Sequence, residues 1–543
     1  MCVLHGRYPD KGGKMNELAH LEMLVSHGKM TRREFLAKAS ALGLTALAIA
    51  SLPDVSAGAA SPKPGGRFRV GMSDASTADS LDPVRLPSQM PIFITFGQLA
   101  NCLVELDFNG KVVPELSETW EPSSDAKRWV FTLRRGVEFH NGKTVDADDV
   151  IFSFNRHRGK DSISGAKPLL EQVSDIRADG KQSVIFTLKK GNIDFPYFLT
   201  DYHLVIIPGG TTDFDNGIGT GAYRLDSFEP GVRCLTRRNP NYWKAGRAHF
   251  DEVETIHIPD VSARVNALKS GVIDYMERCD YRTAHLLERL PGVQLLNTPG
   301  RWHVTMPMLT DSPPYDDNNV RLAMKYCTDR RQMVKQILQG YGAPGNDHPI
   351  ARDMRFFNPN LKQRVYDPDK ARFYIKKAGL EGHTFKLHAA DIVFPGAIDS
   401  AVLFKEQAAK AGIQIEVVRE PSDGYWQNVW IKKPLCVSYW LSRPIEDMLL
   451  STVYGEGSSW NESRFKHTRF NILLNKARTE LDRNTRREMY AEMQQILHDE
   501  GGAIVPFFMN ILEAATDKVQ VEKVSAHMIL DGMKIAERAW FGS

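Results

Sequence analysis

Cysteine is scarce in this chain, with six among 543 residues, and no two of them form a Cys-x-x-Cys pair. The 16 histidines are scattered singly, and none stands at zinc-site spacing from a cysteine. These absences exclude the common structural zinc motifs and the dithiol redox enzymes. The sequence therefore predicts no metal site.

The motifs of common hydrolases and nucleotide-binding enzymes are also missing. Neither His-Glu-x-x-His nor Gly-x-Ser-x-Gly occurs. Gly142-Lys143-Thr144 resembles the end of a phosphate-binding loop, but Val137 occupies the position of that loop's first glycine. The glycines at positions 217, 219 and 221 lack the dinucleotide-binding spacing and indicate a tight turn before a strand. No cofactor and no catalytic residue is predicted.

Charge of one sign is not in excess. The chain has 69 Lys and Arg against 66 Asp and Glu, a formal net charge of +3, and no long basic run. A nucleic-acid partner is therefore not expected. No stretch reaches the roughly 20 apolar residues that span a bilayer. The composition is that of an ordinary globular protein, and the length favours two or three domains.

The N-terminal segment contains the clearest targeting signal in the sequence. Arg32 and Arg33, followed by Phe35 and Leu36, resemble the twin-arginine export signal, and a short apolar stretch and two small-residue cleavage sites follow before residue 61. We predict an N-terminal extension and cleaved signal peptide over residues 1–60. No cysteine lies between residues 3 and 101, so a lipoprotein is not expected. The mature protein is predicted to be periplasmic, with five cysteines, so that at least one thiol stays free.

The apolar patterns of the mature chain predict a mixture of strands and helices. Strands are predicted at 68–72, at 129–133 and after the glycine turn at Tyr223. Helices are predicted to begin at Asp146, at Thr328-Asp329 and at Asp367, where acids can cap them. The spacing also predicts helices over 92–106 and 486–497. The class is therefore α/β or α+β.

Several segments resemble the family 5 solute-binding proteins of bacterial importers, and they occur in family order from about residue 65 to about residue 510. The segments are Pro114-Glu115-Leu116-Ser117-Glu118-Thr119-Trp120-Glu121, residues 129–142, residues 146–154, Gly219-Thr220-Gly221-Ala222-Tyr223, Arg238-Asn239-Pro240-Asn241-Tyr242-Trp243, Val320-Arg321-Leu322-Ala323 with Asp329-Arg330, and Tyr366-Asp367-Pro368 with Ala378-Gly379. One such match is weak, whereas the ordered set is specific.

The resemblance implies a mixed α/β fold of the periplasmic binding protein type II kind, with two lobes, an extra inserted domain and a ligand cleft between the lobes. Domain I is expected to comprise residues 61–108, 208–300 and 511–543. Domain II is expected over 109–207 and domain III over 301–510. Hinges at two crossovers let such lobes close on a ligand.

The function implied is that of a periplasmic substrate-binding subunit, expected to be monomeric, and not an enzyme. It captures peptides or peptide-like or opine-like small molecules and delivers them to the permease and ATPase subunits of an ABC importer. Two alternatives stay open: an exported hydrolase acting on peptides or glycosides, and a periplasmic chaperone or sensor. Whether the ligand is returned chemically unchanged separates the first alternative from binding.

The segment 438–447 is the most informative about the ligand. Trp440 matches the tryptophan of the peptide-binding relatives, but Arg443 stands where their aspartate receives the peptide's amino terminus. A guanidinium suits a carboxylate or a phosphate, so an anionic ligand group is expected here, unless Arg443 is a surface residue of a loop. Trp302, Tyr425 and Trp426 are further cleft candidates, although such aromatics are more often core residues.

Overall fold

The computed structural model describes residues 62–542. The strands, in chain order, are β1 (Arg67–Met72), β2 (Val104–Leu106), β3 (Val112–Pro114), β4 (Ser117–Pro122), β5 (Arg128–Leu133), β6 (Val173–Ala178), β7 (Ser183–Leu188), β8 (Tyr223–Glu229), β9 (Arg233–Arg238), β10 (Glu252–His257), β11 (Tyr275–Met276), β12 (Val293–Pro307), β13 (Gly342–Pro344), β14 (Thr384–Ala389), β15 (Gln414–Arg419), β16 (Ser438–Trp440), β17 (Ala503–Ile504), β18 (Phe507–Thr516), β19 (Val519–Gln520) and β20 (Trp540–Phe541).

The helices are α1 (Gln89–Ile94), α2 (Ala147–Arg156), α3 (Lys167–Leu170), α4 (Phe195–Phe198), α5 (Val261–Lys269), α6 (Ala284–Leu287), α7 (Asn318–Tyr326), α8 (Arg330–Ile337), α9 (Pro368–Lys377), α10 (Ala397–Ala409), α11 (Tyr425–Asn428), α12 (Glu446–Val453), α13 (Thr468–Ala477), α14 (Arg483–Glu500), α15 (Ile529–Gly532) and α16 (Ile535–Arg538). A π-helical turn, Thr95–Leu99, continues α1. No helix among residues 62–542 has both the length and the apolar character that crossing a membrane requires.

A large mixed sheet forms the centre of the fold. Its strand order is β16-β12-β18-β11-β1-β10-β9-β8, with β13 beside β18 and β17 beside β12. Strand β1 runs parallel to β10 and β11, and the other pairs are antiparallel. Successive side chains alternate between the two faces, so Tyr275 packs in one hydrophobic core and Met276 in another.

The segment that we predict as domain II contains a separate antiparallel sheet in the order β4-β5-β7-β6. Phe131, Phe154 and Phe186 meet edge to face in its core. Helix α2 begins with a capping box in which Asp146 accepts a hydrogen bond from the Asp149 amide at 3.3 Å and Asp149 accepts one from the Asp146 amide at 3.0 Å. The predicted strand at 129–133 and the helix start at Asp146 are confirmed.

The segment that we predict as domain III combines the parallel pair β14-β15 with helices α7 to α14. Asp329 separates α7 from α8 and accepts a hydrogen bond from the Gln332 amide at 2.9 Å. Asp367 caps α9 through the Lys370 amide at 2.9 Å. Both predicted helix starts are confirmed, because a carboxylate at the N-cap satisfies amides that the helix leaves free.

Strands β12 and β18 pass from the domain I cores into a domain III core. Val304 and Phe507 belong to the domain III core, whereas Ile511 and Leu512 belong to the domain I cores. The register of the pair shifts between Thr298 and Trp302. A β-bulge of this kind bends a strand, so the irregularity lies where the two strands leave one core for the next.

The predicted helix over 92–106 is wrong beyond Leu99. The helical turns end there, and β2 begins at Val104. The Gly221 amide donates a hydrogen bond to the Leu99 carbonyl at 2.8 Å, and a Cβ at Gly221 would lie only 2.2 Å from the Gln98 carbonyl oxygen. This close backbone approach overrides a local helical pattern, because tertiary contacts outweigh weak propensities.

The cysteines of the described residues are all buried and unpaired. They are Cys102, Cys234, Cys279, Cys327 and Cys436. Burial raises the pKa of each thiol, which disfavours the reactive thiolate. These residues therefore act as small core side chains.

Candidate functional site

A cavity of about 1070 Å³ lies between the three predicted domains. Phe96 and Met528 contribute from domain I, Tyr202 from domain II, and Trp302, Arg443 and Trp460 from domain III. A large concave site with aromatic walls and a few charged groups is the usual form of a ligand site. This cavity is therefore the candidate functional site.

Arg443 lines the cavity from the segment between β16 and α12. Its side chain is half-buried, and its one hydrogen bond goes to the Ser442 carbonyl at 3.4 Å. Within residues 62–542 it forms no ion pair, so most of its hydrogen-bond donors remain without a protein partner at the cavity. The sequence left open whether Arg443 lines the cleft or is a surface residue of a loop. The structure places it at the cavity.

Asp201 also lines the cavity, from the end of domain II, and sequence reasoning missed it. Its Oδ1 atom accepts hydrogen bonds from the His203 amide at 3.1 Å and the His203 Nδ1 at 2.7 Å. Burial by itself raises the pKa of the Asp201 carboxyl, but His203, and to a smaller extent the charge of Arg443, hold that pKa below its ordinary value. The cavity thus has a carboxylate and a guanidinium that influence each other without direct contact.

Trp302 lies on β12, directly after the register shift, and its half-buried side chain lines the cavity. The Arg278 guanidinium stands over its ring at 5.6 Å from the centroid. Trp302 also packs against a core of domain I and a core of domain III. It therefore joins the strand crossing to the cavity wall.

The structure places Tyr425, Trp426 and Trp440 outside the cavity lining. Tyr425 is 1% exposed and donates a hydrogen bond to the Val437 carbonyl at 2.8 Å. Trp426 packs edge to face on Tyr439, and Trp440 packs on Trp430 in the domain III cores. The expectation that these three contact the ligand is not supported, because apolar packing inside domain III occupies their rings.

Trp460 lines the cavity with 48% of its surface exposed, and no pattern in the sequence pointed to it. Trp430 and Trp440 support its ring from behind, at centroid distances of 6.3 and 6.0 Å. Trp430 is fixed in turn by a hydrogen bond from its Nε1 to the Glu462 carboxylate at 3.1 Å. An exposed tryptophan on a rigid aromatic base provides a surface for an apolar or planar part of a ligand.

The charges of the cavity wall are only partly paired. Six Lys and Arg residues and four Asp and Glu residues line it. Arg478 pairs with Asp447 at 2.9 Å and Arg538 with Asp531 at 3.2 Å. Lys189 and Lys190 are exposed, so Arg443 is the partly buried cation that has no carboxylate partner within the described chain.

The predicted export residues Arg32, Arg33, Phe35 and Leu36 lie outside the described residues. Within residues 62–542, no group of three or more His, Cys, Asp or Glu side chains is arranged to hold a metal ion. The cavity walls offer hydrogen-bonding groups, charges and aromatic surfaces.

The comparisons with known proteins agree with this geometry. The family model for bacterial extracellular solute-binding proteins, family 5, matches residues 111–461. The chain is 26% identical over 466 residues to the dipeptide-binding protein of Escherichia coli. This match covers 78% of this chain and 86% of that protein. The chain is 24% identical over 440 residues to heme-binding protein A of Haemophilus influenzae, covering 74% and 80% of the two chains.

Solved structures show the same fold. The periplasmic binding protein DppA from Helicobacter pylori, in complex with the peptide STSA, has a TM-score of 0.74 at 21% identity and covers 89% of this chain and 99% of its own. The binding protein AgaA from A. tumefacien, in complex with agropinic acid, has a TM-score of 0.73 at 23% identity, with coverages of 88% and 99%. The family model spans more than half of the chain, so this protein belongs to the family 5 bacterial extracellular solute-binding proteins, which bind substrates for ABC importers.

Proposed function

We propose that this protein captures a peptide-like or opine-like molecule in the periplasm through an anionic group, and delivers it to the permease and ATPase subunits of an ABC importer. The observation that carries this proposal is Arg443, a half-buried cavity residue with no carboxylate partner within residues 62–542. A guanidinium in this setting binds a carboxylate or phosphate with two parallel hydrogen bonds.

Asp201 suggests a second contact. Its carboxylate lines the same cavity and influences Arg443 through its charge. A cationic group of the ligand can pair with Asp201 while the anionic group pairs with Arg443. The cavity of about 1070 Å³ lies at the upper end of the usual size range of ligand sites, so it admits molecules larger than a single amino acid.

The relatives support an organic ligand of this size. Their names and structures record dipeptides, heme, the peptide STSA and agropinic acid. Agropinic acid shows that a protein with this fold can accept a small anionic ligand. We extend this property to the present chain on the basis of Arg443.

An exported hydrolase is the alternative from another class. Such an enzyme needs a nucleophile beside a base at an accessible position. The Ser164 hydroxyl does lie 2.6 Å from the His157 Nδ1, but both residues are buried and neither lines the cavity. Burial, with the charges of His203 and Arg156, lowers the pKa of His157 to about 4. Reversible binding of an unchanged ligand is therefore the better interpretation. A chaperone or sensor would use the same cavity, so the cavity does not separate those roles from transport.

The test begins with native mass spectrometry of the purified protein, which identifies the small molecule that co-purifies with it. Calorimetry with that molecule then compares the parent with Arg443→Ala. Loss of a charge-assisted contact costs about 1.5–3 kcal/mol, so we expect about ten- to a hundredfold weaker binding. Arg443→Lys recovers only part of the affinity, because lysine cannot form the planar fork.

Arg419→Ala is the matched control, since Arg419 is an exposed domain III arginine that pairs with Asp391 at 2.7 Å on the surface. This variant is expected to bind like the parent. Parental affinity in Arg443→Ala would falsify the anionic-ligand proposal, and a chemically altered ligand would favour the hydrolase.

A further inference from the structure

Domains II and III contact each other beside the cavity through the segment around α4. Ile193 donates its amide hydrogen bond to the Arg478 carbonyl at 2.9 Å. Phe198 packs against Ile445 and Met448 of domain III in a small apolar cluster. This contact closes one side of the cavity, because Phe198 and Met448 also line it.

Asp194 lies at the centre of this contact. It occupies the N-cap position of α4, yet its side chain makes no capping hydrogen bond. Its carboxylate instead accepts hydrogen bonds from Arg355 Nη1 at 2.9 Å, from Arg355 Nη2 at 3.4 Å and from both Nη atoms of Arg486. All of these donors belong to domain III, and the Asp194 side chain is only 3% exposed. An aspartate that gives up its usual local role is specialised for the contact between domains.

The two arginines depend on Asp194 to different extents. Arg355 also pairs with Glu446, at 2.8 Å from Nη2, and its guanidinium stands 4.4 Å from the centroid of the Tyr197 ring. Arg486 has no other carboxylate partner among the described residues. Separation of the domains therefore leaves Arg355 with Glu446, but it removes every charged partner of Asp194 and Arg486.

Helix α12 links this contact to the candidate ligand site. Glu446, its first residue, holds Arg355 through Oε2 and accepts the Phe356 amide through Oε1 at 3.0 Å. Asp447 and Met448, the next two residues, line the cavity, and Arg443 lies three residues before Glu446. Asp194 is thus connected to the start of this helix through Arg355 and Glu446.

We propose that Asp194 is a positioning residue that holds domain II against domain III and sets the balance between the closed and open forms of the cavity. The inference does not rest on the identity or charge of the ligand. Asp194 is a buried carboxylate whose charged partners all belong to domain III. In the closed form, removal of the Asp194 carboxylate leaves the Arg486 guanidinium buried without a charged partner, which disfavours that form.

The experiment measures a distance between domains II and III without any added ligand. Asp179→Cys in domain II and Lys410→Cys in domain III place spin labels at two exposed positions. The native cysteines of the described chain are buried and do not compete for the label. We expect one short distance in the parent. In Asp194→Ala we expect a second, longer distance, with the closed-to-open ratio reduced by about ten- to a hundredfold.

Three further variants separate positioning from general destabilisation. Asp194→Asn keeps the size but not the charge and should give an intermediate distribution, whereas Asp194→Glu should recover part of the closed form. Asp391→Ala removes an exposed domain III ion pair and should match the parent. Circular dichroism melts verify that each variant is folded. Distance distributions for Asp194→Ala and Asp194→Asn that equal the parent's overturn the proposal, and they leave the Arg443 argument untouched.

Discussion

At the scale of single residues, the cavity is bordered by a backbone conformation that needs support. Leu530, Asp531, Gly532 and Met533 all have positive φ, between 54° and 66°, and Gly532 lines the cavity. Residues other than glycine pay about 1–2 kcal/mol each for the left-handed region. Glu513 stabilises this turn, because its Oε1 accepts the Leu530 amide hydrogen bond at 2.7 Å while its Oε2 accepts the Tyr275 hydroxyl at 2.7 Å.

Glu513 predicts a pH dependence of stability. Burial raises the pKa of its carboxyl to about 8, so the folded protein holds this proton more tightly than the unfolded chain. The contribution of the protonated group is complete below the ordinary carboxyl pKa and is lost as the pH rises to about 8. Relative to Glu513→Gln, the parent should lose free energy of unfolding between pH 5 and 8, with a slope of up to about 1.4 kcal/mol per pH unit.

Chemical denaturation of both proteins at several pH values measures this difference. Glutamine keeps an acceptor for the Leu530 amide, while its NH2 group donates to the Tyr275 hydroxyl oxygen and so reverses that hydrogen bond. The reversal is the same at every pH, so only the titration of Glu513 makes the difference between the two proteins depend on pH. A parent-to-variant difference that is constant with pH would show that Glu513 is ionised in the folded protein throughout this range.

At the scale of elements, the crossing of β12 and β18 connects the cores of the predicted domains I and III. Gly300 lies inside the register shift, and a Cβ at this position would come within 2.2 Å of the Met509 carbonyl oxygen. The partner is backbone and cannot rotate away. The two strands can therefore approach this closely only with glycine at position 300.

We predict that Gly300→Ala lowers the free energy of unfolding by about 1–3 kcal/mol, the usual range for overpacking. Thermal melts of parent and variant measure the effect. Gly209→Ala is the control, because its nearest neighbour to a new Cβ is a side-chain oxygen of Asp149 at 3.3 Å. Equal melting temperatures for Gly300→Ala and the parent would show that β12 and β18 can move apart at this position without loss of stability.

The same scale shows what the sequence could predict. Strand β5 and the helices that begin after Asp146, Asp329 and Asp367 were accessible because caps and alternation are local signals. The end of the helical turns at Leu99 could not be predicted from the sequence, because the glycines that pack against this segment lie more than 100 residues away. Arg443 was found from its place in a family segment. Asp201 and Trp460 were missed because loops bring them to the cavity without any periodic pattern.

At the scale of the whole molecule, closure of the lobes on a ligand, which the family resemblance implies, would be a balance between closing contacts and the ligand. Apparent affinity falls in proportion to the fraction of molecules in the binding-competent form. In our two proposals, the contact around Asp194 favours the closed form, whereas Arg443 and Asp201 contribute to this balance through the ligand. Affinity can therefore change through residues that never touch the ligand.

Export also belongs to this scale. We predict that replacing Arg32 and Arg33 together by lysine leaves the precursor in the cytoplasm, because the paired arginines are the defining feature of the signal. Cell fractionation followed by immunoblotting measures precursor and mature protein. Lys63→Arg, beyond the predicted cleavage sites, is the control and should be exported like the parent. Normal amounts of periplasmic mature protein from the double variant would refute the twin-arginine assignment.

The buried thiols bear on where this protein can fold. The described part of the chain has five cysteines, all buried and none in a disulfide, so its folding requires no disulfide formation. No disulfide contributes to the stability of this part, so we expect the same free energy of unfolding under reducing and oxidising conditions. A chain built in this way can complete its tertiary structure in the reducing cytoplasm. If it is then exported as we predict, its buried cysteines are shielded from exchange with other proteins, and its described part needs no disulfide isomerase.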